Sequence, residues 1–103
     1  MKVRFTLPAL ADLEAIVDFL NEKSPSAARG ISRRVASLAF LIGERPQAGR
    51  RTDDANIRRI NLRPYPYVLF YEVLPDEVRV MAVMHGARDP ASMPGSAGDD
   101  QAE

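Results

Sequence analysis

Hydrophobic and polar positions divide this chain into a short alternating strand, two helical stretches and a run of strands. Between Lys2 and Thr6 the residues alternate, with Val3, Phe5 and Leu7 on one face and Lys2, Arg4 and Thr6 on the other, as in a half-buried strand. Leu10, Leu13, Ile16, Val17 and Leu20 then recur at helical spacing, while Asp12, Glu14, Asp18 and Glu22 fall on the opposite side. Thr6 is placed to cap this helix, Pro8 suits its first turn, and the early acids suit its dipole. Ser24-Pro25 repeats the cap-plus-proline signal and opens a second helix with the stripe Ala28, Ile31, Val35, Leu38, Ile42. Gly43 is placed to end it. So short a connection makes the pair an antiparallel hairpin. Phe40 and Leu41 lie off the stripe and fit either core packing or a partner groove.

The Gly43–Asn56 stretch, GERPQAGRRTDDAN, reads as the longest loop. After it, Ile57 to Val73 reads as two strands joined by a tight turn at Arg63-Pro64-Tyr65-Pro66. In the first strand Arg59, Asn61 and Arg63 share one face and Arg58, Ile60 and Leu62 the other. In the second, Tyr67, Leu69, Tyr71 and Val73 alternate with Val68, Phe70 and Glu72, so both faces are apolar, as in a strand at the middle of a sheet. Leu74-Pro75-Asp76-Glu77 makes a hairpin into a last strand, with Val78, Val80, Ala82 and Met84 set against Arg79, Met81 and Val83. The order β-α-α-β-β-β predicts an α+β domain over residues 1–90. Three consecutive strands form an antiparallel meander, the N-terminal strand lies at an edge, and the helical hairpin covers one face. The other face, with the basic strand and the tyrosines, is expected to stay partly open. From Pro90 onward there is too little apolar surface to fold, and residues 91–103 are expected to be a disordered tail.

Composition narrows the chemistry. The 103 residues contain no cysteine and one histidine, His85, which excludes disulfides, thiolate catalysis and any multi-histidine metal site within one chain. No apolar run reaches the roughly 20 residues of a membrane span, and no signal-peptide core is present, so a cytoplasmic protein is expected. Net charge is zero but segregated: Arg29 to Arg63 holds nine arginines and three acids, and the chain after Tyr71 holds seven acids and two arginines. A basic middle implies nucleic acid or an acidic protein partner. In a loop, Arg50 and Arg51 are simply solvated, whereas the sheet fixes Arg59 and Arg63. His85 reads first as a capping or packing histidine at a strand end, and Tyr71 as aromatic filling.

With these residues in this order, the chain resembles the RelE/ParE family of bacterial toxins from type II toxin–antitoxin modules. The resemblance rests on Phe5-Thr6, Ala9 and Asp12-Leu13, on Pro46 and Gly49, and on Ile57-Arg58. It continues through Tyr67 to Tyr71 and closes on Val80, Val83, His85-Gly86 and Arg88-Asp89. The family includes ribonucleases that cut messenger RNA on the ribosome and inhibitors of DNA gyrase. Nuclease branches place a basic residue early in the central strand and a tyrosine or histidine pair near the C-terminus; here Val68 occupies the first position and no tyrosine follows His85. The resemblance therefore implies a ParE-like toxin that binds gyrase through Arg59, Arg63, Tyr67, His85 and Arg88, without a cofactor or metal. It implies a ParD-like antitoxin laid over Arg33, Arg34, Ser37, Phe40 and Leu41, with operator DNA reached only through that antitoxin. Two alternatives stay open: a RelE-like endoribonuclease using Arg59, Arg63 and His85, and an inactive toxin serving as co-repressor.

Overall fold

The computed structural model describes residues 1–87 and Pro94. The expected tail over 91–103, Pro94 apart, and the residue Arg88 lie outside the described residues. Seven elements follow one another: β1 (Lys2–Phe5), α1 (Leu7–Lys23), α2 (Pro25–Glu44), β2 (Arg50–Arg51), β3 (Ile57–Asn61), β4 (Tyr67–Val73) and β5 (Glu77–His85). The strands form one sheet in the order β1-β5-β4-β3-β2. β1 runs parallel to β5 at one edge, and the other pairings are antiparallel. The helical hairpin covers one face, so the expected α+β architecture holds with one strand added.

Two hydroxyl residues set the helix boundaries. Thr6 Oγ1 accepts the Ala9 N–H at 3.2 Å and donates to Val80 O at 3.0 Å, so the same side chain starts α1 and ties it to β5. Ser24 serves both helices: its N–H closes α1 on Leu20 O at 2.6 Å, and its Oγ accepts the Ala27 N–H at the start of α2. One residue at the junction leaves the hairpin no room to splay. The α2 stripe Ala28, Ile31, Val35, Leu38 and Ile42 is buried throughout, as its spacing predicts.

α1 departs from its predicted pattern. Leu7 and Leu10 are exposed and Ala9 is fully buried, because the strand ends at Phe5 and Leu7 restarts the count on helical period. No acid lies in the first turn. Asp12, expected to face solvent, instead turns inward, and its Oδ2 accepts the Val83 N–H at 3.1 Å. β1 pairs with β5 only as far as Val80, so the carboxylate supplies an acceptor where the neighbouring strand has run out. Gly43 does not end α2, which continues to Glu44. A Cβ there would lie 2.9 Å from Met1 O, so the glycine admits the start of β1 against the helix.

β4 is buried on both faces, as its composition predicts. Tyr67, Leu69 and Tyr71 join the core under the helices, and Val68 and Phe70 join a smaller cluster on the far side with Ile57 and Ala82. The expected open face with tyrosines is therefore corrected: the tyrosines point under the helices, and the far face carries Arg59, Asn61, Val68 and Phe70. β5 does not keep one alternation either. The register moves from Phe70↔Ala82 to Tyr71↔Val80, leaving Met81 as an extra residue. Val78 and Val80 thus face the helices while Ala82 packs in the far-side cluster.

Candidate functional site

The stretch after α2 is held to the sheet by one buried hydroxyl and one guanidinium. Tyr71 Oη donates to Pro46 O at 2.7 Å and accepts the Gly49 N–H at 2.8 Å. Arg58 Nη1, on the same face of the sheet, donates to Gly49 O at 2.9 Å. A Cβ on Gly49 would come within 2.6 Å of Tyr71 Oη and 2.9 Å of Arg59 O, so only glycine permits this approach. Burial pushes the Tyr71 pKa up, partly opposed by the Gly49 N–H and by the charge of Arg58. Tyr71 is thus a latch as well as filling, and Arg58 belongs to the latch.

Pinned at Gly49, the chain enters β2, and the loop expected over 43–56 acquires a strand. Arg50 pairs with Arg59 and Arg51 with Arg58. Arg50 and Arg59, with Arg63, Asn61, Ile60, Ala48 and Gly49, line a cleft of about 300 Å³ with no carboxylate among its described lining residues. The Arg59 guanidinium lies 5.5 Å from the centre of the Phe70 ring, which holds the side chain over the far-side cluster. Arg50 and Arg51 are thereby placed in a strand and not a loop, and both are exposed, as their reading as solvated residues expects. Two residues are too few to leave a periodic signal; the arginine pair beside Gly49 was the available cue.

Arg63 and Asn61 form the corner between this cleft and a second one of about 410 Å³, lined also by Tyr65, Pro66, Tyr67, Val68 and His85. There His85 meets Tyr67 edge to face, with ring centres 5.4 Å apart at 78°. His85 Nδ1 accepts the Ala87 N–H at 3.0 Å, so a neutral ring carries its proton on Nε2. The residues expected to meet the target are therefore brought to one end of the sheet but divided: Arg59 with Arg63 in the first cleft, Tyr67 and His85 with Arg63 in the second. Tyr65, from the turn, is an unforeseen member.

On α2, Arg34, Ser37, Phe40 and Leu41 line one groove of about 580 Å³ with Leu38, Glu44 and Arg45. Phe40 is 73% exposed, whereas Leu41 is half-buried and packs on the core. Arg33 is not part of this groove; it lines a separate hollow with Val17, Asn21 and Arg29. Among the described residues no cluster of three or more His, Cys, Asp or Glu could hold a metal, and no helix is long and apolar enough to cross a membrane.

Comparison with known proteins agrees with this architecture. Residues 3–90 match the family described as ParE toxin of type II toxin-antitoxin system, parDE. Toxin RelE2 of Caulobacter vibrioides is 37% identical over 87 residues, covering 84% of this chain and 97% of that protein. Putative toxin Y4kP of Sinorhizobium fredii is 30% identical over 84 residues, covering 82% and 86% respectively. A chain from the chromosomal ParDE toxin–antitoxin system of P. aeruginosa superposes with a TM-score of 0.66 at 26% identity, over 82% of this chain and 95% of that one. The YoeB/ParE toxin from Agrobacterium tumefaciens shares the fold, with a TM-score of 0.60 at 17% identity over 82% and 98%. Matched by the family model over residues 3–90, the chain belongs to the ParE family of toxins of type II toxin–antitoxin systems.

Proposed function

We propose that this toxin acts in the cytoplasm by binding and stalling DNA gyrase, without bond chemistry of its own, and that a ParD-like antitoxin neutralises it. The observation that carries the reading is the division of the groups a nuclease would need. Arg59 lines one cleft and His85 the other; of the three, Arg63 alone lines both, beside Asn61. RNA cleavage requires a base, an acid and a cation around a single phosphate. A surface whose basic groups are spread around the end of a sheet suits contact with a macromolecule instead.

The antitoxin would lay an amphipathic helix along the α2 groove, its apolar side against Phe40 and Leu41 and its acids toward Arg34. Arg34 and Arg45 both line that groove, which suits acids on the incoming helix. Arg33, from its separate hollow, would meet at most the rim of such a helix. Operator DNA would be reached only through the antitoxin.

Induction in bacteria tests the class of activity. Filamentation with a DNA-damage response is expected; prompt messenger cleavage at ribosomes, abolished by Arg63→Ala, would overturn the gyrase reading. That second reading is kept because the relative named Toxin RelE2 is 37% identical to this chain.

A further inference from the structure

We propose that the cleft between Arg50, Arg59 and Arg63 is a phosphodiester site that grips the backbone of duplex DNA. The inference deepens the gyrase reading and rests on it for its biological setting, because gyrase works on duplex DNA: part of the toxin's contact would be with the nucleic acid and not with protein alone. The cleft carries an electrostatic cost. Arg50 and Arg59 are direct partners in the β2–β3 register and so project on the same face. Like charges directly opposite across two strands destabilise the pairing. Arg63 adds a third guanidinium to the same cleft, and among the described residues no acid lines it to offset the repulsion. A bound polyanion would.

The cleft is also set before any ligand arrives. Gly49, in its wall, is held through its N–H by Tyr71 and through its carbonyl by Arg58. Arg59 is held over Phe70. Fixed guanidinium forks bind phosphate with less ordering cost than free ones. The Asn61 side chain adds neutral hydrogen-bonding capacity at the same rim.

The choice among polyanions follows from the lining. Single-stranded nucleic acid is gripped by stacking its bases on aromatic side chains. No aromatic residue lines this cleft, and the nearby Phe70 is 1% exposed; Tyr65, Tyr67 and His85 line only the adjoining cleft. An acidic protein segment would add aromatic or apolar anchors to its arginine contacts. The exposed large apolar side chains of the described residues are Met1, Leu7, Leu10, Phe19 and Phe40, and none of them lines the cleft. What the cleft offers is charge and hydrogen bonds at a shallow rim, which is how a protein holds a duplex backbone without reading sequence.

Fluorescence anisotropy of a short labelled duplex with the full-length toxin, titrated with salt, tests this. Each arginine that neutralises one phosphate contributes about −0.9 to the slope of log affinity against log salt. The expected slope is therefore about −2 to −3, with each of Arg50→Gln, Arg59→Gln and Arg63→Gln lowering its magnitude by about 1. Arg29→Gln, on the helical hairpin, should change nothing. Absence of duplex binding at low salt, or equal effects of Arg29→Gln and the cleft variants, would overturn the proposal. So would preferential binding of single-stranded RNA of the same length, which would assign the cleft to RNA, or equal displacement of the duplex by polyglutamate, which would assign it to an acidic protein. Supercoiling by gyrase is measured alongside. Duplex binding through the cleft with gyrase unaffected would sink the gyrase reading alone; gyrase inhibition without duplex binding would sink the cleft assignment alone.

Discussion

The Tyr71 hydroxyl lies inside the protein with its donor and acceptor roles both filled by the 46–49 segment. Removing it in Tyr71→Phe leaves Pro46 O and the Gly49 N–H without that partner, a loss of about 1–3 kcal/mol in denaturant unfolding. The fold should survive that loss while the wall of the arginine cleft loosens. Alkali gives an independent check. The folded pKa of Tyr71 is raised, chiefly by burial, so its contribution is fully present below the unfolded value of about 10 and is lost as pH rises through the higher folded value. Wild type should therefore lose stability above about pH 10 by an amount that Tyr71→Phe does not share. Parallel alkaline limbs for the two proteins would remove Tyr71 as the titrating group. None of this was legible in the sequence beyond a tyrosine in an apolar strand. The Pro46–Gly49 and Ile57-Arg58 motifs were visible there as separate pieces, and only the folded sheet brings Tyr71 across 25 residues of chain to join them.

Elements with strong periodicity were legible because burial enforces it: the α2 stripe and the two-faced β4 appear where the pattern puts them. The failures lie where a single residue resets the count. Met81 turns β5 over, and Thr6 ends the strand alternation before Leu7. β2 exists because Gly49 is pinned, not because Arg50-Arg51 has strand character. On α2, the exposure of Phe40 and the half-burial of Leu41 separate binding from stability. Phe40→Ala should leave the melting temperature close to wild type and, as an anchor, weaken antitoxin binding by ~2 kcal/mol or more. Leu41→Ala should destabilise the isolated toxin toward the lower end of ~2–5 kcal/mol, because its side chain is only partly buried. A melting temperature lowered by Phe40→Ala with unchanged antitoxin affinity would show that the groove is not the contact. The β1–β5 edge adds a pH test. The Glu77 carboxyl is held below the usual range, first by its hydrogen bond from Arg4, with Arg79 contributing. Its contribution is present above the ordinary glutamate pKa of about 4.3 and lost as pH falls through the depressed folded value. Glu77→Gln should remove that part of the acid transition; because the pair is exposed, the effect should be small.

At the scale of the molecule, the helical groove and the arginine cleft share no residue, so the antitoxin and target contacts proposed for them can be altered one at a time. Phe40→Ala should yield a toxin that still acts on its target but escapes its antitoxin, and Arg59→Gln one that is captured normally but acts weakly. The family and the order of elements were legible from motifs spread along the whole chain, whereas the division of Arg59 and His85 between two clefts was not, since spacing along strands does not say which residue ends up at which corner. The most direct measurement is supercoiling by purified gyrase in the presence of purified toxin, with and without a stoichiometric ParD-like antitoxin, for wild type and Arg63→Ala. The account predicts inhibition by wild type, relief by the antitoxin and a marked loss of inhibition in Arg63→Ala. Uninhibited supercoiling at every toxin concentration, with messenger RNA cut on ribosomes by the same preparation, would contradict it.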